Sequence, residues 1–194
     1  NLGTATLSNG DAAVVGSYKD TISNKGKLII TGSGTVSNNA GSGAVVNYAG
    51  ATAELQSGTF TANKWYTIKN MGAMTISGAT VETTSGGASS LVANGWYGDK
   101  GNNDRGTAYT DTKAKLIICE GSTLSGGMNT VKNDDYGVLE ITGGTFENTD
   151  GPTIQNWSEA TISGGTFSVP QGFVLANGSY GDEADPGIMT VTGG

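Results

Sequence analysis

The chain has 194 residues, of which 33 are Gly, 17 are Asp or Glu, 10 are Lys or Arg and none is His, for a net charge of −7. Apolar side chains at 36% can fill a core, but charged residues at 14% fall well below the ~25% usual for globular domains, which argues against an ordinary helical or α/β enzyme. An acidic surface without a basic patch disfavours nucleic acid and anionic membranes as partners, and no run is long and apolar enough to span a bilayer, so no membrane insertion is expected.

Read from the N-terminus, short elements recur. Thr6-Leu7 reads as a Thr-apolar pair just past a Gly turn, and Val15 with Ser17 reads as the end of that first coil. The second coil holds Leu28 to Ile30, then Thr35-Val36, then Val45 to Asn47. The third repeats this as Ala53 to Leu55, Thr59-Phe60 and Ile68 to Asn70, and the fourth as Met74 to Ile76, Thr80-Val81 and Val92 to Asn94. A long insertion, about 85–113, precedes the fifth copy at Leu116 to Ile118, Thr123-Leu124 and Val131 to Asn133. The sixth and seventh carry the clearest motif, Ile141-Thr-Gly-Gly-Thr-Phe146 and Ile162-Ser-Gly-Gly-Thr-Phe167, ending at Asn156 and Asn177. Met189 to Val191 then starts the pattern again.

The apolar residues after the turn are Leu7, Val36, Phe60, Val81, Leu124, Phe146 and Phe167, at intervals of 29, 24, 21, 43, 22 and 21. A period of 21–24 with insertions marks a β-solenoid, here of about seven coils in a single domain, 1–194. At ~4.8 Å per coil the stack is roughly 35 Å long. Alternation places Leu28 and Ile30 inward and Ile29 outward, and likewise in each later coil. Asn47, Asn70, Asn94, Asn133, Asn156 and Asn177 form one column at a corner, where each amide can bond the coils above and below. The Thr residues before the post-turn apolar position predict a similar ladder. The chain opens near one Gly turn and closes on Gly193-Gly194 without a capping helix, so a continuation of the same β-helix in a parent chain is expected.

These columns resemble the pectate-lyase-like superfamily of right-handed parallel β-helices, with its internal Asn ladder. The I-S-G-G-T-F wording is most similar to repetitive surface and adhesin-type proteins of Gram-positive gut bacteria. The resemblance spans nearly the whole chain. It implies a secreted or cell-surface protein on a fold that carries lyases, hydrolases, adhesins and spacers alike.

The chemistry is thinner. Without His, Ser-His-Asp and Cys-His mechanisms are excluded. Cys119 falls in an outward polar column with no partner base. Asn148-Thr149-Asp150 and Asp134-Asp135 match glycosidase motif words of this fold, but in reversed order and without the accompanying His and Arg-Ile-Lys elements. A lyase site would draw on Asp99, Asp104 and Asp111 for Ca²⁺, with Arg105 or Lys100 as base. Aromatic and acidic residues gather after the Asn corner: Trp96, Tyr97 and Asp99, then Tyr109, Tyr136 and Trp157, then Tyr180 and Asp182. Such a mix suits a glycan or host surface ligand, with Ca²⁺ as an optional ion and no required cofactor. The expected function is a non-catalytic β-helix module for adhesion, glycan binding or spacing. The alternative is a lyase or glycoside hydrolase acting on an acidic polysaccharide.

Overall fold

In the computed structural model, residues 3–8, 13–16, 19–84, 89–96, 112–178 and 187–194 are described. Among them every regular element is a strand, and every strand pairing is parallel. The strands stack into three sheets of eight, seven and seven members. Sheet neighbours are three strands apart in sequence, so the chain visits the three sheets in turn and climbs one coil each time. Seven coils result, with Ile188–Val191 adding an eighth strand to the first sheet.

The predicted register holds from Leu28 onward. Leu28, Ala53, Met74, Leu116, Leu139 and Ala160 form one buried column of the first sheet, and Ile30, Leu55, Ile76, Ile118, Ile141 and Ile162 form the next. The second sheet contributes Val36, Phe60, Val81, Leu124 and Phe146, and the third contributes Val45, Ile68, Val92, Val131 and Ile154. Phe146 and Phe167 stack with ring centroids 4.7 Å apart.

The first coil departs from expectation. Leu7 pairs with Ile30, not with Val36, so Thr4–Ser8 belongs to the first sheet. Val14 is the true partner of Val36, which makes the first interval 22 residues and removes the anomalous 29. The coil ends at Ile22-Ser23-Asn24, which pairs with Val45-Val46-Asn47, so Val15, paired with Ser37 in the second sheet, does not lead into that corner, and Ser17 lies outside the described residues.

The Gly-Gly turn has a steric cause. A Cβ on Gly164 would lie 2.5 Å from the Thr142 carbonyl oxygen of the preceding coil, while Gly165 adopts φ +113°, which side chains rarely tolerate. Gly143 and Gly144 repeat the arrangement, with backbone of Glu120 at 2.8 Å and φ +106°.

Asn24 opens the predicted ladder. Its Nδ2 donates to Oδ1 of Asn47 at 2.7 Å, and the same bond continues to Asn70, Asn94, Asn133, Asn156 and Asn177 at 2.7–2.8 Å. Each amide also donates to backbone carbonyls at the corner, as Asn133 does to Gly137 and Glu159. The Thr column is in register from Thr35 to Thr166, with Ala13 in its first place. No hydrogen bond links hydroxyl to hydroxyl along it among the described residues, so it is a packed column and not a second ladder. A Thr hydroxyl is too short to bridge the ~4.8 Å between coils, a gap that the longer Asn amide spans.

Outward charges of the first sheet pair between coils: Lys27 with Glu54, Lys115 with Glu140 and Lys113 with Glu159. All are about half exposed, so Glu140→Gln is expected to change stability by under ~1 kcal/mol in a urea titration.

Candidate functional site

The outer face of the third sheet is built from the middle residue of each apolar-x-Asn strand, and five of its seven places, between Ser23 at one end and Ala176 at the other, are Val46, Lys69, Ala93, Lys132 and Gln155 in successive coils. An outward position should meet water, yet all five are buried. A second layer lies over part of this face. Val46, Met71, Trp96 and Ala114 form a small core of their own, flanked by Tyr48, Ala49, Tyr66 and Tyr136. Trp96 is fixed there by an antiparallel bridge to Asp135, its N–H donating to the Asp135 carbonyl at 3.0 Å. Tyr136 follows with φ +58°, turning the chain back into the next strand.

Charge lies within this layer. Lys132 Nζ sits 2.8 Å from Oδ1 of Asp134, and Lys69 Nζ sits 3.9 Å from Oδ2. The first contact is an ion pair and not an aligned hydrogen bond. Lys132 Nζ also lies 3.3 Å from the centre of the Trp157 ring, and Lys69 Nζ 5.9 Å from that of Tyr66. A third cation–aromatic contact of this edge joins Lys25 to Tyr48.

The residues expected to bind ligand therefore divide. Trp96 is 0% exposed, and Tyr136 and Trp157 are half-buried against the lysines and the second core. Tyr97, Asp99, Asp104, Arg105, Tyr109, Tyr180 and Asp182 lie outside the described residues, as do Lys100 and Asp111. Among the described residues no three acidic, Cys or His side chains converge on a metal position. Cys119 is half-buried and free.

Three of the exposed large apolar side chains stand at the opposite corner, in the turns that lead from the second sheet into the third, while Ile188 and Val191 lie on the last strand of the first sheet. Trp65 is 53% exposed, Met128 56% and Phe173 67%. Trp65 and Met128 each lie three residues before the strand, in the third and fifth coils, and Phe173 lies two before it in the seventh. The equivalent places in the coils between them are taken by Ser89 and Gly151. Large apolar groups thus recur every second coil, about 9.6 Å apart along the axis, over small residues.

Neither this row nor Lys69 and Lys132 stands out in the sequence. The lysines occupy positions that read as solvent-facing, and the row is built from three different residue types in turns of unequal length. The only available signal was the fixed offset of Trp65 and Met128 from the apolar-x-Asn strand. No family model matches the chain, and no curated protein or solved structure is significantly similar to it.

Proposed function

We propose that this chain is a non-catalytic β-helix module of a secreted or cell-surface bacterial protein, binding an extended glycan along the corner between the second and third sheets. The reading keeps the resemblance to the pectate-lyase-like superfamily and its adhesin-type surface proteins. The observation that carries it is the row of Trp65, Met128 and Phe173, exposed and spaced by two coils. Sugar rings bury their apolar faces on aromatic side chains, and a chain of sugars running parallel to the axis meets one such group at every second coil. Small residues between them leave room for the intervening sugars. The three-sheet stack, braced by its ladder, holds the row straight, which also suits a spacer.

A glycan array probed with and without Ca²⁺ tests the proposal. The expected result is binding to an extended polysaccharide that falls on the order of 10–30-fold in Trp65→Ala, with an unchanged melting temperature because the side chain is half exposed. Binding that ignores Trp65→Ala, or no binding to any glycan, overturns the site. Release of unsaturated or reducing ends from an acidic polysaccharide would instead place the chain among the lyases or hydrolases.

A further inference from the structure

We propose that Lys69 and Asp134 join through an intramolecular amide bond, formed by the folded chain itself. Lys69 and Lys132 stand two coils apart in one outward column of the third sheet, with only Ala93 between them. The small Ala93 side chain lets Lys69 reach along the axis, and both ammonium groups meet the one carboxylate of Asp134. The side chains of Lys69 and Asp134 are 1% and 2% exposed. Burying opposite charges is costly, and a neutral amide removes one of each from the low-dielectric layer. Exclusion of water also protects an amide from hydrolysis.

The three groups have distinct positions. Lys132 Nζ is 2.8 Å from Oδ1 and seated over the Trp157 ring, which fixes it as a cation beside one carboxyl oxygen. Lys69 Nζ lies 3.9 Å from the other oxygen, Oδ2, which sets the nitrogen beside the carboxyl group whose carbon it would attack. In the reaction the Lys69 ammonium passes a proton to Oδ2, and the freed amine attacks Cγ of the now neutral Asp134 carboxyl. Negative charge develops on Oδ1, where the Lys132 cation stabilises it. The C–N bond forms, the Cγ–Oδ2 bond breaks, and Oδ2 leaves as water with two protons that began on the ammonium. One positive and one negative charge cancel, no oxidant or reductant is needed, and Lys132 is unchanged.

The bond would tie the third coil to the fifth across the fourth. That is where the longest insertion, between Asn94 and Ala114, separates consecutive strands. It is independent of glycan binding at the opposite corner.

The test is the intact mass of the purified, fully denatured chain. The expected value is one water below the sequence mass. Tryptic digestion should then fail to cut after Lys69, and tandem mass spectrometry should show a branched peptide joining Lys69 to Asp134. Lys69→Arg, with its fold checked by circular dichroism, should restore the loss-free mass. Lys132→Gln should form the bond several-fold more slowly during refolding. A chain at its full sequence mass overturns the proposal. So does a water loss mapped to the Asp150-Gly151 step, or a branch carried by Lys132.

Discussion

Asn133→Ala is expected to destabilise the stack by about 3–6 kcal/mol, from two or more buried groups left unpaired at ~1–3 kcal/mol each. The side chain is fully buried and makes four ladder and corner bonds. Its Oδ1 accepts from Asn94, and its Nδ2 donates to Oδ1 of Asn156 and to the carbonyls of Gly137 and Glu159. Ala removes all of these, and the corner is too enclosed to admit water freely: a Cβ on Gly137 would already stand 2.2 Å from Asn133 Oδ1. Asn133→Asp keeps an acceptor for Asn94 but loses every donor and adds a buried charge, so it should cost at least as much. Guanidinium unfolding of the two variants against the unaltered chain measures this. A loss below ~1 kcal/mol for Asn133→Ala would mean the ladder is not a source of stability.

How much of this could be read from the residues follows from what repeats. The inward Ile and Leu columns and the Gly-Gly turn are imposed on every coil by the same packing, so they recur with a fixed period and are legible. The Asn column is legible for the same reason, because each amide needs a neighbour above and below. Asn24 escaped only because Leu7 was assigned to the strand after the turn, which shifted the whole first coil by one strand. Lys69 and Lys132 could not be recognised as buried. They are enclosed beside Tyr66, Asp134 and Trp157, side chains that belong to different coils and occupy unrelated places in the repeat. Periodicity reports what each coil does alike. A site made from the departures of individual coils leaves no period.

Trp96 is the sharpest case, because its exposure decides between two opposite expectations. If its ring were a platform for sugar, Trp96→Ala would abolish binding and leave the fold intact. The ring is fully buried and packs with Val46, Met71 and Ala114, with Tyr48, Tyr66 and Tyr136 at the margin of the same cluster. Truncating a buried Trp removes its transfer free energy and leaves a cavity, together about 3–5 kcal/mol. For a chain of this length that corresponds to a drop of roughly 6–20 °C in Tm. Trp96 is bridged to Asp135, the neighbour of Asp134, so water admitted there should also lower the yield of any Lys69–Asp134 bond. Glycan binding at Trp65, on the far corner, should survive at temperatures where the variant is folded. Calorimetry of Trp96→Ala, with glycan binding measured well below its melting point, separates the two roles. A variant that melts like the unaltered chain but no longer binds glycan would return Trp96 to the ligand site.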